Sequence, residues 1–329
     1  MHTLPVRPPT TSLPPEGLDD GPESSPPTTE FAVQVLPPRR STNAPSRQVP
    51  VLFIMSGLDA GRLIPLEERE TLIGRDKGVH VQLSEAALSR KHARIVRTGD
   101  RFVLEDLKSR NGTFVNGSRI EQRELKVGDH LSVGPNVTLR FGIIDQAEAE
   151  LGRQLFEAST KDALTQAYNR KYLNERLAAE LSFAQRHGGH LGLAMLDVDH
   201  FKGVNDRHGH TAGDAVLRTI ARRVARLVRT EDVFARYGGE EFVILARGVD
   251  LDGMKALAER VRRTVADGVV EHVEPELPPV TMRVTVSLGV VGVEECGADV
   301  TPGAFLALAD RRMYRAKDAG RNQACSEGA

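Results

Sequence analysis

Three acidic residues in the sequence lie where apolar segments begin or end. The apolar run LGLAML leads into Asp197, and Glu240 and Glu241 adjoin the run FVILA. If the two runs are neighbouring strands, these carboxylates meet at one edge of a sheet, where they repel one another unless a cation neutralises them. Oxygen ligands without His or Cys predict Mg²⁺ at this edge, with Mn²⁺ as the alternative. Taken alone, a Glu-Glu pair is usually a solvated acidic turn.

Basic residues and glycines in the same half of the chain indicate a phosphate-bearing ligand, since Mg²⁺ held by few carboxylates commonly binds substrate phosphates as well. Lys202, Lys317 and Arg321 supply positive charge. Gly209 and Gly213 in GHTAGD are expected to leave backbone amides open to a phosphate at the start of a helix. The pattern GxxxxGK[ST] is absent from the sequence, which excludes a P-loop nucleotide site.

Two further features bear on the shape of the site. Asn205 and Asp214 flank the GHTAGD loop, and an amide together with a carboxylate can match the donor and acceptor edge of guanine. Gly238 and Gly239 separate two β-rich runs and predict a tight hairpin in which glycine adopts a positive φ. A hairpin by itself needs no glutamates, so the acidic pair that follows requires another cause.

The segments that carry these residues alternate between helical and extended patterns. Apolar residues at three- to four-residue spacing predict helices, and the runs LGLAMLDVD, VFARY, EEFVILA and TVSLGVV predict strands. Their order favours an α+β domain over residues 161–324 with a βαββαβ core of the ferredoxin-like type. A helical linker over 144–160 is expected to act as a stalk that precedes this domain.

The N-terminal half has a different composition. Residues 50–143 consist of short β-rich runs with Gly, Asn or Asp every 8–12 residues, which predicts an all-β sandwich. Twelve of the 18 prolines lie in the first 50 residues. Such a segment cannot bury enough apolar surface to offset its ordering entropy, so we predict a disordered Pro/Thr-rich tail over residues 1–49.

Composition and net charge bear on the partners and the location that we expect for the protein. A net charge of −1 and the absence of Trp give no reason to expect a nucleic-acid or membrane partner. The two cysteines form no CxxC pair, which favours a reducing cytoplasm. No apolar run reaches the roughly 18 residues that span a bilayer.

Four clusters in the β-rich half, IGR, LSRKH, SRNGTFVNG and VGD, combine forked cationic, hydroxyl and amide donors that suit a phosphate monoester. Turn chemistry alone would explain each Asn-Gly pair. In this order the clusters resemble the forkhead-associated (FHA) domain over residues 50–143. The resemblance implies that Arg75 and Ser89 contact the phosphate of phosphothreonine, that Arg90 assists, and that Asn111 holds the ligand main chain. His92 is expected to fix the Ser89 loop.

The C-terminal motifs resemble the GGDEF family of diguanylate cyclases over about residues 160–323. The motifs are DALTQAYNRKYL, DVDHFKGVND, GHTAGD, RYGGEEF, TVSLGV and ADRRMYRAKDAGRN. Ala167 replaces the usual Leu of the first motif. The resemblance implies that two such domains, each holding one GTP, face each other as a homodimer and form cyclic di-GMP with loss of two pyrophosphates.

The same resemblance implies a role for each matching residue. Gly238 and Gly239 are expected to belong to the catalytic site, and Gly239 places no side chain where the α-phosphate approaches. The expected metal ligands are Asp197, Glu240 and the carbonyl of Val198, and Glu241 is expected to support a second metal or the attacking hydroxyl. The expected guanine contacts are Asn205 and Asp214. The expected phosphate contacts are Lys202, Lys317 and Arg321. An RxxD pattern, Arg229 to Asp232, resembles the family's inhibitory product site, with Arg260 as a further candidate; a solvated helix end explains it equally well.

These modules suggest a regulatory hypothesis. Six threonines lie in the tail, where they are accessible to a Ser/Thr kinase. A phosphothreonine from the protein's own tail or from a partner protein would dock on the FHA domain and change cyclase output. The alternatives are a catalytically inactive receptor for GTP or cyclic di-GMP and an FHA adapter.

Overall fold

A computed structural model describes residues 47–327, except 58, 77, 84, 86, 230 and 274–278. The expected tail therefore lies almost entirely outside the described residues. Five α-helices occur in the described part: α1 (Gln146–Thr160), α2 (Arg170–His187), α3 (Phe201–Ala225), α4 (Leu251–Ala266) and α5 (Pro302–Asp318), with a 3-10 turn at Val293–Glu295.

The strands of the first half are β1 (Gln48–Ile54), β2 (Leu63–Pro65), β3 (Glu70–Gly74), β4 (Val81–Gln82), β5 (Ala93–Thr98), β6 (Arg101–Asp106), β7 (Thr113–Val115), β8 (Ser118–Ile120), β9 (Gln122–Glu124), β10 (His130–Val133) and β11 (Val137–Asp145). They form two sheets, in the orders β2-β1-β11-β10-β7-β8 and β4-β3-β5-β6-β9. The strand pattern places alternate residues such as Phe102 and Leu104 in a shared core. The predicted all-β sandwich is confirmed, and its first strand starts two residues before the expected boundary.

The linker helix α1 begins two residues after the expected boundary at 144, and it is not a free stalk. The carboxylate of Asp145 caps its first turn by accepting a hydrogen bond from the Ala147 N–H at 2.7 Å. Ala149 is buried against Val51 and Leu63 of the sandwich. The helix is therefore docked on the β-sandwich, and two of its apolar residues, Leu151 and Leu155, remain exposed.

The strands of the second half are β12 (Leu191–Val198), β13 (Val233–Arg236), β14 (Glu241–Arg247), β15 (Val269–His272), β16 (Val280–Arg283), β17 (Val286–Gly292) and β18 (Ala324–Cys325). The central sheet has the order β13-β14-β12-β17-β18. β12 is antiparallel to both of its neighbours. This order confirms the predicted βαββαβ core, to which β18 and the β15–β16 hairpin are added.

Helices cover both faces of this sheet. Helices α3 and α4 pack on one face, and α2 and α5 pack on the other. Every residue of β12 is buried as a result, which explains why its sequence is continuously apolar up to Asp197 rather than alternating. Polar groups on this strand can reach a ligand only at its C-terminal end.

Two expectations about the surroundings of the protein can be compared with these elements. Each helix in the described part is too short or too polar to cross a bilayer. Cys296 and Cys325 are free thiols. The cytoplasmic location stays a prediction.

Candidate functional site

The acidic residues of the two central strands do meet at one sheet edge. Asp197 on β12 lies directly opposite Glu241 on β14, and the Val198 N–H donates to the Glu240 carbonyl at 3.3 Å. Residues directly opposite in an antiparallel pair have Cβ atoms about 5 Å apart. The predicted juxtaposition, on which the metal hypothesis depends, is therefore correct. We call Asp197, Glu240 and Glu241 the carboxylate site.

The environment of the carboxylate site disfavours the charged forms of its three acids. Asp197 is 5% exposed, and burial raises its pKa above the ordinary value although the Lys317 ammonium lies 2.8 Å from Oδ2. Burial and the neighbouring charge of Asp197 also raise the pKa of Glu240 and of Glu241. Three partly desolvated carboxylates thus share one edge, where Lys317 forms an ion pair with Asp197.

A divalent cation suits this donor set. Carboxylate and carbonyl oxygens are hard ligands, and one cation would offset the repulsion among the acids. Among the residues that the structure describes, no three Asp, Glu, His or Cys side chains are grouped so that they could hold a metal ion by themselves. The site therefore fits a metal that takes part of its coordination from a bound phosphate, as Mg²⁺ commonly does.

Asp199 lies two residues beyond Asp197 but has a different environment. Its carboxylate accepts hydrogen bonds from the hydroxyls of Thr285 and Ser287, both at 2.7 Å, and from the Asn322 N–H at 3.0 Å. These bonds use the acceptor capacity that a metal would need. Asp199 thus joins β17 to the segment after α5. No sequence pattern distinguishes these two similar acids.

The glycines of the hairpin serve a different purpose from the one expected. Neither Gly238 nor Gly239 has a positive φ, so the prediction of a left-handed glycine turn is wrong. A side chain at Gly238 would collide with the Glu241 carboxylate, whereas a side chain at Gly239 would point into open space. A side chain at Gly238 would therefore displace the Glu241 carboxylate, and Gly239 leaves an open approach to the carboxylate site.

Sequence reasoning missed the side chain that holds this hairpin. The Arg236 guanidinium donates to the Gly239 carbonyl through Nε at 3.1 Å and Nη2 at 2.7 Å. Its Nη1 also lies 3.2 Å from Asp162 Oδ1, and Asp162 accepts from the Thr165 hydroxyl at 2.6 Å. The DALT and RYGGEEF motifs are therefore one connected structure. Their separation by more than 70 residues concealed the link.

The predicted helix start at GHTAGD can be compared with α3. The helix begins at Phe201, eight residues before this motif, and consists of two helical segments that meet at Gly209, where φ is 81°. Helix N-termini therefore lie at residues 201–203, directly after β12, and just after Gly209, where the motif predicted one. Gly213 is inside the second segment, where a side chain would meet Asn205 Oδ1.

The predicted nucleotide contacts lie on the elements around this edge. Asn205 Oδ1 is buried without a hydrogen-bond partner among the described residues, which leaves an acceptor for a ligand N–H. Lys202 is exposed in the first turn of α3, and Asp214 is half-buried in its second segment. Arg321 adopts a left-handed φ of 65°, and its charge lowers the pKa of Asp197, which places it near that carboxylate.

The RxxD residues lie at the turn after α3, and the second residue of the pattern is outside the described part. Asp232 is 6% exposed, and its carboxylate accepts from the Arg229 backbone N–H at 2.8 Å. Arg260 is exposed on α4 and donates to the Leu227 carbonyl at 3.1 Å. The Asp232 side chain therefore stabilises this turn, and the inhibitory role stays a prediction.

The predicted phosphothreonine contacts of the β-sandwich lie on adjoining loops. We call Arg75, Ser89, Arg90 and Asn111 the phosphate loops. The Arg75 N–H donates to the Ser89 carbonyl at 3.2 Å, and the Ser89 hydroxyl accepts from the Arg110 N–H at 3.1 Å. The Asn111 amide donates to the Ala87 carbonyl at 2.7 Å. Backbone bonds thus bring together residues from three separate sequence motifs.

His92 fixes these loops, as expected. Its Nδ1 accepts from the Ser89 N–H at 3.3 Å, so its Nε2 carries the proton and donates to the Gly112 carbonyl at 3.1 Å. Burial lowers the pKa of His92, which keeps the ring neutral. At the neighbouring turn, the Asn116 amide donates to Asp129 at 2.8 Å and accepts from the His130 N–H at 2.8 Å.

Comparison with known proteins divides the chain in the same two parts. The family model described as "Diguanylate cyclase, GGDEF domain" matches residues 159–323, and the FHA domain model matches residues 71–134. The FHA match lies within the expected range 50–143, and the GGDEF match agrees within two residues with the expected range 161–324. The order of the two domains predicted from the sequence is confirmed.

Several characterised proteins resemble the second part. The chain is 37% identical to the probable diguanylate cyclase DgcT of Escherichia coli over 50% of this chain and 34% of that protein. It is 41% identical to the diguanylate cyclase DgcP of Pseudomonas aeruginosa over 49% of this chain and 23% of that protein. The chain thus spans between about a quarter and about a third of the length of these relatives.

A solved structure of the coiled coil and GGDEF domain of DgcB from Caulobacter crescentus, in complex with c-di-GMP, is also similar. It is 28% identical, with a TM-score of 0.49, over 55% of this chain and 95% of that chain.

Proposed function

The chain belongs to the diguanylate cyclase GGDEF-domain family, and we propose that it condenses two GTP molecules into cyclic di-GMP and two pyrophosphates. The observation that carries the proposal is the carboxylate site, where Asp197 lies opposite Glu241 and all three acids have raised pKa values. Such a site is relieved by a bound divalent cation together with a triphosphate. Cyclase chemistry needs that combination.

The residues around the carboxylate site would bind one GTP. The guanine edge would meet the unpartnered Asn205 Oδ1 and Asp214. The phosphates would lie across the open amides at the start of α3, with Lys202, Lys317 and Arg321 balancing their charge. Asp197, Glu240 and the Val198 carbonyl would hold Mg²⁺ or Mn²⁺, which neutralises charge at the reacting phosphate when bound.

The reaction then follows from positioning. The 3′-hydroxyl oxygen of one GTP forms a bond to the α-phosphorus of the other, and the bond from that phosphorus to the bridging oxygen breaks. Pyrophosphate leaves with the electron pair, and the hydroxyl proton passes to a base, for which Glu241 is our candidate. The open space at Gly239 admits the second nucleotide. One chain holds one GTP, so two copies must face each other.

We further propose that the phosphate loops bind phosphothreonine and regulate the cyclase. Arg75 and Ser89 would hold the phosphate with help from Arg90, and Asn111 would hold the peptide main chain. The observation that supports this is the bonding of all these loops to one another around His92, which preorganises the donors. The ligand would be phosphorylated by a Ser/Thr kinase, in the protein's own tail or in a partner.

Product inhibition is the third part of the proposal. Arg229, Asp232 and Arg260 would hold cyclic di-GMP, which slows the enzyme as product accumulates. The described contacts of Asp232 and Arg260 organise the turn beside α4. Arg229→Ala should therefore raise the product concentration at which half the activity is lost, with little change in the initial rate.

Purified full-length protein incubated with GTP and Mg²⁺ tests the catalytic proposal by chromatography of the products. The parent should form cyclic di-GMP with a rate per chain that rises with protein concentration, and Glu241→Ala should form none. A parent protein that makes no cyclic dinucleotide at any concentration would refute the proposal.

The regulatory proposal is tested in the same assay with a phosphothreonine peptide. Arg75→Ala should retain the basal rate and lose the response to the peptide. The matched control is Arg69→Ala, an exposed arginine of the same sandwich outside the phosphate loops. If Arg75→Ala responds to the peptide as the parent does, regulation through this surface is wrong.

A further inference from the structure

A cavity of about 590 Å³ lies where the β-sandwich, α1 and the start of the GGDEF domain meet. Contacts from both domains close it: the Tyr172 hydroxyl lies 3.2 Å from Asp59 Oδ1, and Gly61 lies against the Phe156 ring. The cavity is separate from the carboxylate site and from the phosphate loops, none of whose residues line it. Its size is within the range of small-molecule sites.

The acidic residues that line this junction cavity already have partners. Asp59 accepts from Tyr172, and Glu157 lies 2.6 Å from Arg153. Asp232 accepts from a backbone N–H, and Glu231 also has a partner. Glu157 and Arg153 therefore offset each other, whereas Glu231 and Asp232 each keep one buried oxygen that makes no hydrogen bond among the described residues.

The basic residues of the junction cavity are less well satisfied. Arg176 is 3% exposed, and its Nη2 lies 3.3 Å from Glu180. Its Nε and Nη1 have no hydrogen-bond partner among the described residues. Glu180 is shared with a second guanidinium, that of Arg247 at 2.5 Å. One buried carboxylate therefore serves two arginines, which leaves the Arg176 guanidinium only partly satisfied beside the cavity.

Two further cations line the same space. The Lys161 ammonium lies 3.3 Å from the centroid of the Tyr168 ring, and no carboxylate pairs with it among the described residues. Burial and the nearby charge of Arg62 lower the pKa of Lys161 to about 8. Arg62 is half-buried and likewise has no side-chain partner in the described part. Cations that repel one another in a cavity call for an anion.

We propose that the junction cavity binds a small molecule that carries a phosphate group. A phosphate presents three acceptor oxygens and up to two negative charges, which matches Arg62, Lys161 and the unsatisfied guanidinium of Arg176 better than a single carboxylate does. The stacked rings of Tyr168 and Tyr172 give the wall an apolar portion for the rest of the ligand. Both domains contribute to the cavity, so the ligand stabilises their docking.

The test is calorimetric titration of the full-length chain with inorganic phosphate, without metal or GTP. All proteins carry Arg75→Ala, so that binding at the phosphate loops does not contribute. We expect saturable binding and a melting temperature that rises with phosphate. Arg62→Gln and Lys161→Met should each weaken the affinity about tenfold, as the loss of one charge-assisted contact implies. Lys171→Met, an exposed lysine on α2, should change it less than twofold.

Three outcomes would overturn the proposal. The first is no saturable binding at millimolar phosphate. The second is unchanged affinity in both Arg62→Gln and Lys161→Met, neither of which removes a buried side chain. The third is a titration with cyclic di-GMP in which Arg62→Gln weakens binding as much as Arg229→Ala does, since the cavity would then belong to the product site. Cyclase activity enters none of these measurements, so the result is independent of the proposed enzyme function.

Discussion

The phosphate loops of the FHA domain and the carboxylate site of the GGDEF domain differ in how their polar groups are satisfied. In the phosphate loops, Ser89, Asn111 and His92 are held by hydrogen bonds to the protein backbone. At the carboxylate site, three acids have raised pKa values, and Asn205 Oδ1 has no partner. The Ser89 and Asn111 side chains are held by the protein itself, whereas under the proposed function the carboxylate site and Asn205 are completed by metal and nucleotide.

This difference has a consequence for stability. Hydrogen bonds near the phosphate loops lower the free energy of the folded state. At Asp129, burial raises the pKa, but hydrogen bonds from the Lys126 N–H and from Asn116 outweigh this effect, so the pKa lies below its ordinary value. Charges at the carboxylate site raise the free energy of the folded state, because they repel one another in a desolvated setting. Removing a charge should therefore have opposite effects on stability at the two places.

The largest expected effect is that of Glu240→Gln. Cyclic di-GMP synthesis should fall by at least about 100-fold, since a ligand to the metal is lost. The melting temperature without metal should stay level or rise, because one repelling charge is removed. Product chromatography and thermal unfolding measure the two effects. Glu175→Gln, an exposed acid on α2, is the control. A clear loss of stability in Glu240→Gln would contradict the comparison.

Arg236→Lys should give the next largest effect. Lysine cannot reproduce the forked hydrogen bonds through which Arg236 joins Asp162 to the Gly239 carbonyl. Charge-assisted hydrogen bonds contribute about 1.5–3 kcal/mol. If the whole loss appears in the activation free energy, kcat falls roughly 10- to 100-fold. KM for GTP should change little, because the guanine and phosphate contacts remain. Steady-state kinetics separate the two constants, with Arg311→Lys as the exposed control. A rise in KM at constant kcat would instead place Arg236 in substrate binding.

Asp129→Ala should lower stability where Glu240→Gln does not. The Asp129 carboxylate is 7% exposed and accepts from the Lys126 N–H and the Asn116 amide, both at 2.8 Å. Removing it leaves the Lys126 N–H and the Asn116 amide without their acceptor in a partly buried setting, at a cost of about 1–2 kcal/mol. Denaturant unfolding measures this cost, and GTP turnover should be unaffected. Equal stability of parent and variant would show that the FHA network contributes less than its contacts suggest.

The smallest expected effect is a pH dependence centred on His92. Its folded-state pKa is lowered by burial from the ordinary 6.5, so the unfolded chain binds the proton first as pH falls. Stability of the FHA domain is therefore fully present above pH 6.5 and declines below it. Unfolding midpoints at a series of pH values measure the decline. The control His130→Gln, at an exposed histidine, should show the same decline in stability as the parent. An unchanged decline in His92→Gln would assign the pH dependence to another group.

Much of the fold followed from local patterns. Turn residues at regular spacing predicted the sandwich, and the alternation of helical and extended runs predicted the α+β core, because burial periodicity is written in neighbouring residues. The positive φ expected for Gly238 and Gly239 was wrong. Gly238 leaves room for the Glu241 carboxylate, and Gly239 leaves open space, so both glycines matter for the side chain that they lack rather than for their backbone angles.

The sequence by itself determined which residue types are available: three acids at strand ends, donors for a phosphate in the loops of the sandwich, and the motifs of two families. The tertiary structure decided which of them meet. It separated Asp197 from Asp199, joined Arg236 to Asp162, and placed Arg62 beside Lys161 and Arg176. The reason is physical: hydrogen bonds and Coulomb interactions act over a few ångströms in space, and only the packing of strands and helices sets those distances for residues far apart in the chain.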